Sequence, residues 1–155
     1  MALKIAQFIQ LLLLCVIAGQ AFFYLIGGTA GVRNVSVGTF IEQRKAIDVV
    51  IVPALKLIYL LSAASGFTAM VLLQKQSDRL PFILSALAWA LVLIDMAIAV
   101  RGNVPLNRQM QDWSPASHPS DWARVRDRWL TYLHWRQACS ITALLCLLVG
   151  LFTQI

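Results

Sequence analysis

The 155-residue chain has little charge: only 13% of its residues are charged, whereas 59% are hydrophobic. Soluble domains contain about 25% charged and about 45–50% apolar residues. A soluble fold of this size has too little interior to hide so much apolar surface from water. The composition therefore excludes a soluble enzyme, a disulfide-stapled secreted domain and a disordered regulator, and it predicts a protein whose solvent is lipid.

Cysteine and histidine are also scarce, and neither is spaced for a cofactor. Cys15, Cys139 and Cys146 lie in apolar stretches without a C-x-x-C pair, which argues against a thiol–disulfide relay. His118 and His134 are the two histidines, too few for a copper or di-iron site, and nothing besides their number supports a bis-histidine haem. We therefore expect no metal and no other cofactor.

Four apolar segments are each long enough to cross a bilayer, which takes about 20 helical residues. We predict spans at about 5–27, 47–73, 80–100 and 130–153. The first resembles a signal peptide, but its apolar run is longer than a typical signal and indicates a retained helix. The tight KQSDR turn joins helices two and three as a hairpin. The predicted fold is all-α: one domain, 1–155, forming an integral membrane four-helix bundle with antiparallel up-down topology.

Helices two and four are predicted to extend beyond the lipid on the side of the two longer connections. Thr39 and Glu42 have the spacing of a capping box, which places the start of helix two near Phe40. Ser120 is a good N-cap residue for a helix that begins near Asp121.

The two longer connections lie on one side of the membrane and hold most of the cations. The second is expected to begin where Gly102 and Pro105 interrupt helix three. The short-turn side has Lys4, Lys75 and Arg79, whereas the long-loop side has Arg33, Arg44, Lys45, Arg101, Arg108, Arg124, Arg126, Arg128 and Arg136. Because cytoplasmic loops are enriched in Lys and Arg, we expect cytoplasmic long loops, external termini and location in a bacterial inner membrane.

Charged side chains inside the predicted spans indicate a site, because each costs about 2.5–3.5 kcal/mol at a helix centre. Lys56 and Asp95 have comparable depths on adjacent antiparallel helices, which favours an ion pair between them. Arg136 reaches a similar depth on helix four, and helix one offers Tyr24 and Gln20. Polar side chains from all four helices are therefore predicted to converge on one layer. The alternative is that a Lys–Asp pair only locks two helices together.

Helical phase separates the two polar residues of helix four. At about 100° per residue, His134 points about 160° away from Arg136, whereas Tyr132 shares the face of Arg136. We therefore expect Arg136 to face the interior, in a pocket that opens towards the long loops and is bounded by Asn103, Asn107 and Trp129.

Short motifs near these residues resemble those of a known family. An N-x-P-x-N segment follows helix three at Asn103, Pro105 and Asn107, and an R-W…H…R segment opens helix four at Arg128, Trp129, His134 and Arg136. Together with the AGQAFFYLIGG stretch of helix one, these motifs resemble the anthrone oxygenase-like family of small four-helix membrane proteins.

The resemblance implies oxidation of a hydrophobic aromatic or quinone-like substrate without metal or flavin. In such a reaction His134 or Asp95 would act as the base, and Arg136 or Lys56 would stabilise the developing oxyanion. The substrate would be held by Asn103, Asn107, Trp129 and Tyr132.

A non-catalytic accessory or assembly subunit of a larger membrane complex is the alternative, because the chain has hardly any extramembrane domain. The polar layer would then bind a lipid headgroup, a quinone or a partner helix. Membrane lipid is the partner expected in both cases. The other possible partners are a hydrophobic small molecule, a second copy of the chain and a larger membrane complex, and they depend on whether the protein is an enzyme or an accessory subunit. We expect the net charge of +6 to interact with anionic lipid headgroups and not with nucleic acid.

Overall fold

The computed structural model describes residues 1–154. They form four long helices, α1 (Ala2–Asn34), α2 (Val37–Leu73), α3 (Arg79–Gln111) and α4 (Trp122–Phe152). Each is long and apolar enough to cross a membrane, and the described residues form no strand. The predicted all-α membrane bundle is confirmed.

The four helices form a ring around a narrow core. Each helix packs against its neighbours in sequence, and α1 closes the ring against α4. Small residues on the inner face of α2, namely Ser62, Gly66 and Ala69, allow close helix contact, while large apolar side chains such as Phe8 and Leu57 lie on the outside. This inside-out distribution is the one expected of a bundle solvated by lipid.

The helix starts differ slightly from the predicted ones. Ser36 caps α2, because its Oγ accepts a hydrogen bond of 3.2 Å from the backbone N–H of Thr39. Thr39 therefore lies within the first turn, and the predicted capping box with Glu42 is wrong. Helix α4 begins at Trp122, with Asp121 at the N-cap position where Ser120 was expected.

Helix α3 is not interrupted at Gly102 and Pro105, contrary to the prediction. The chain passes through a π-helical turn, Ala99–Asn103, and continues as an α-helix over Val104–Gln111. Pro105 falls in the first turn of this segment, a position where helices tolerate proline. Helix α1 contains a similar π turn, Tyr24–Gly28. Helices α1 and α3 therefore continue past the predicted ends of their spans, to Asn34 and Gln111.

Gly102 marks the closest approach of α3 to α4. A Cβ atom at this position would lie 2.5 Å from the ring of Tyr132. We expect Gly102→Ala to destabilise the protein by about 1–3 kcal/mol, because the Tyr132 ring must move away. The measurement is unfolding in mixed micelles with increasing SDS.

Gly31→Ala is the matched control, since a Cβ there would meet nothing within 4 Å. Equal stability of the two variants would show that the contact between Gly102 and Tyr132 is not tight in the folded protein.

Candidate functional site

Three polar side chains in the middle of the bundle form a closed set of hydrogen bonds, here called the membrane triad: Tyr59, Asp95 and Arg136. Arg136 donates from Nε to Asp95 Oδ1 at 2.6 Å and from Nη2 to Tyr59 Oη at 3.0 Å. The Tyr59 hydroxyl donates to Asp95 Oδ2 at 2.6 Å. Each carboxylate oxygen therefore has a donor, and the guanidinium charge is neutralised inside the membrane.

The triad ties three helices together. Tyr59 comes from α2, Asp95 from α3 and Arg136 from α4, while Gln20 of α1 lines the cavity beside them. Of the polar residues predicted to share one depth, Asp95, Arg136 and Gln20 lie together here, whereas Tyr24 packs against Trp129. The residue that α2 contributes is Tyr59, which was not predicted. The expectation that Arg136 faces the interior is confirmed.

The predicted pair of Lys56 and Asp95 is wrong. Both oxygens of Asp95 are bonded to Arg136 and Tyr59, and Lys56 is exposed on the outer surface of α2. Lys56 lies at the depth of the triad, but its side chain points away from it. It lies about 100° around the helix from the middle of the buried stripe on α2.

His134 does not reach the triad either. Its side chain is exposed and lies 3.4 Å from the Thr29 hydroxyl on the outer face of α4. Of the residues expected to act as base, only Asp95 is at the site.

A cavity of about 10 Å³ lies beside the triad. This is the space for about one water molecule. Its walls include Gln137 and Ser140 of α4, and α1 closes it with Ile17, Gln20 and Ala21. The pocket expected between Arg136 and the residues Asn103, Asn107 and Trp129 is therefore misplaced, because this cavity is lined by a different set.

Asn103, Asn107 and Trp129 instead form a second polar cluster closer to the long loops. The Trp129 indole Nε1 donates to Asn107 Oδ1 at 2.7 Å, and Asn103 Nδ2 donates to the backbone carbonyl of Trp129 at 3.0 Å. Tyr24 packs edge-on against the Trp129 ring, with centroids 6.1 Å apart. Trp129 precedes Arg136 by two helical turns, about 10 Å. Tyr132 lies between these levels, packed on Gly102.

A buried ion pair completes this Trp129 cluster. Arg44 and Asp48 are both 7% exposed and bonded to each other one turn apart on α2. The Arg44 guanidinium stacks over the Trp129 ring, 4.5 Å from its centroid. Both π turns adjoin this cluster, because Tyr24 begins the first and Asn103 ends the second.

Sequence reasoning missed Tyr59 and the Arg44–Asp48 pair. Tyr59 is uncharged, so it does not stand out in an apolar span as Lys56 does. The available signal was that Tyr59, Ser62 and Gly66 repeat with helical spacing on one face. Arg44 and Asp48 have the i, i+4 spacing of an ion pair, which was the available signal. Among the described residues, no three His, Cys, Asp or Glu side chains cluster as metal ligands.

The triad predicts strong coupling between Asp95 and Arg136. We expect Asp95→Leu or Arg136→Met alone to destabilise the protein by about 3–5 kcal/mol, because each leaves a buried charge unpaired. The double variant should lose clearly less than the sum of the two, as measured by unfolding in mixed micelles.

Lys56→Met is the control for this cycle. It should change stability by less than about 0.5 kcal/mol and combine additively with Asp95→Leu, since Lys56 faces outward and shares no hydrogen bond with the triad. Coupling between Lys56 and Asp95 in place of Arg136 and Asp95 would contradict the observed arrangement.

Comparison of the chain with protein-family models, curated proteins and solved structures gives no match.

Proposed function

We propose that this integral membrane protein oxidises a hydrophobic aromatic or quinone-like molecule at the membrane triad without a cofactor of its own. The observation that carries the proposal is the position of a carboxylate, Asp95, and a guanidinium, Arg136, side by side in the membrane core at the edge of a cavity. The resemblance of the sequence motifs to the anthrone oxygenase-like family supports the same reaction class.

The chemistry requires a base and an oxyanion partner. Asp95 would take a proton from the acidic methylene carbon of an aromatic ketone, and Arg136 would stabilise the enolate oxygen. Arg136 uses two of its five N–H groups on Asp95 and Tyr59, so it retains donors for a substrate oxygen. The enolate then reduces dioxygen: one oxygen atom becomes the new carbonyl, and the other leaves as water with the two methylene hydrogens.

Substrate binding requires a change in the bundle. Pockets for small molecules have volumes of about 300–1,000 Å³, far above the roughly 10 Å³ beside the triad. The side of the cavity formed by Ile17, Gln20 and Ala21 of α1 has no hydrogen bond to the triad. We therefore propose that α1 moves outward to admit a ring system from the lipid.

The test is oxygen uptake and quinone formation by the protein in lipid nanodiscs, with anthrone as the probe. Asp95→Asn should lower the rate above empty nanodiscs by about 100-fold or more, because the base is lost. Arg136→Lys should lower the rate by about tenfold or more, since lysine keeps the charge but loses the planar fork.

Lys56→Met is the matched control and should match the wild-type rate, because this charge lies at the same depth but outside the triad. Unfolding curves for each variant separate a loss of activity from a loss of fold. A wild-type rate equal to that of empty nanodiscs would refute the oxidation of anthrones.

One observation favours a second function, that of a non-catalytic subunit of a membrane complex. The triad satisfies its own charges and leaves beside it space for about one water, as expected of a contact that holds helices together. If this alternative holds, Arg136→Lys and Asp95→Asn will change only the stability of the protein, and no variant or wild type will consume an aromatic ketone.

We also propose that the long connections face the cytoplasm of a bacterial inner membrane. Exposed arginines crowd that end of the bundle, namely Arg33, Arg101, Arg108, Arg124 and Arg128. A reporter fused after Ile155 tests this: alkaline phosphatase should be active there and green fluorescent protein dark, since both termini would be external. The opposite pattern would reverse the orientation.

A further inference from the structure

The interface of α1 and α2 holds a row of buried polar side chains that the triad does not explain. Gln7, Gln10 and Ser62 are 5%, 0% and 0% exposed, and the row ends at Tyr59 of the triad. Three of their polar atoms have no hydrogen-bond partner among residues 1–154, namely Nε2 and Oε1 of Gln10 and Oγ of Ser62. In lipid, such polar groups are costly unless something satisfies them.

The spacing of the row is regular. The Gln10 amide lies beside Gly66 on α2: a Cβ on Gly66 would be 2.6 Å from Gln10 Nε2. From Gly66, Ser62 is one turn away, about 6 Å, and Tyr59 is a further turn, about 4.5 Å. On α1, Gln7 precedes Gln10 by one turn, about 4.5 Å.

One water joins two polar atoms up to about 5.5 Å apart through two hydrogen bonds. Each step of about 4.5 Å is therefore within the reach of one water, and the step of about 6 Å takes two. Buried waters in proteins typically bind such otherwise unsatisfied groups. The cavity at the triad has room for one water, and its wall includes Gln137, whose Nε2 is also without a partner among the described residues.

The outer end of the row opens into a cleft at the end of the bundle that holds the α2–α3 turn. Its volume is about 620 Å³, and Gln7 lines it together with the polar side chains of Lys4, Gln76, Asp78, Thr153 and Gln154. Gln7 donates to Gln154 at 3.2 Å, so the row is connected to groups at the bundle end.

We propose that Gln7, Gln10 and Ser62 bind a file of water molecules that conducts protons between this cleft and Tyr59 of the membrane triad. The Tyr59 hydroxyl, which donates to Asp95, is the last step of the file. The path would let Asp95 exchange protons with the aqueous phase on the short-turn side. It does not depend on the proposed oxidation, since any proton chemistry at Asp95 would need such an exit.

The test uses silver ions, which enter narrow water-filled paths and react with thiolates. In protein with Cys15, Cys139 and Cys146 replaced by Ala and reconstituted in nanodiscs, Ser62→Cys introduces a nearly isosteric thiol. The matched control is Leu61→Cys, at the same depth but facing lipid, where Leu61 is 47% exposed. A thiol in dry apolar surroundings stays protonated and inert, so Ser62→Cys should react about tenfold faster or more.

Adding Gln10→Leu to Ser62→Cys should return the silver rate to that of Leu61→Cys, because it removes the polar step between the cleft and Ser62. Thr68→Val, an exposed change on α2, should leave the rate unaltered. Equal, slow reaction of Ser62→Cys and Leu61→Cys would overturn the file. A rate unaffected by Gln10→Leu would also overturn it, since water would then reach Ser62 from elsewhere.

If Ser62→Cys does not fold, Gln10→Cys replaces it, because Gln10 is itself a step of the file and is 0% exposed. Its lipid-facing control is Leu12→Cys, at a similar depth on α1. Equal, slow reaction of Gln10→Cys and Leu12→Cys would overturn the proposal.

Discussion

The constraint on which the structure depends is the burial of one guanidinium in a medium that cannot solvate it. Arg136 lies two helical turns inside α4 from Trp129, where an unpaired charge would be very costly. Asp95 and Tyr59 satisfy it from two other helices. Transmembrane helices gain little from apolar contact with each other, because lipid tails are equally apolar. The triad is therefore well suited to fix the relative depth of α2, α3 and α4.

The Trp129 cluster performs a related task nearer the long connections, but with different physics. Here Arg44 is paired locally with Asp48 and stacked on an aromatic ring, so its charge is neutralised largely within α2. The hydrogen bonds between helices in this cluster come from neutral groups: Asn103 and Asn107 of α3 hydrogen-bond to Trp129 of α4. Both π turns adjoin this cluster, and the extra residue in a π turn rotates the side chains that follow it.

The depth of each charged residue in the membrane could be predicted from the sequence, whereas the side chain that pairs with it could not. Helical rise placed Asp95 and Arg136 in one layer correctly, since rise per residue is nearly constant. The predicted partner of Asp95 is wrong because depth and charge do not determine the direction in which a side chain faces. Lys56 has the right depth and the right charge, but it faces outward. Phase was applied to α4, where it correctly turned Arg136 inward and His134 outward. Tyr59 has no charge to draw attention, and only the three-dimensional arrangement reveals that its hydroxyl bridges the ion pair. The continuation of α3 through Gly102 and Pro105 was missed for a similar reason, because a π turn leaves no clear sequence signal.

The glutamines and serines of the core raise a question that helix packing does not answer. Small residues alone would allow the close approach of α1 and α2, as Gly66 and Ala69 do. Gln10 goes further: it buries an amide whose donors and acceptor have no partner among residues 1–154, where a leucine of similar volume would incur no such cost. The proposed water file would recover that cost, because water is small enough to enter a tightly packed core. The same water would carry protons to the carboxylate at the end of the row. In this proposal the polar row serves proton exchange at Asp95, while the ion pair and the small-residue contacts hold the helices together.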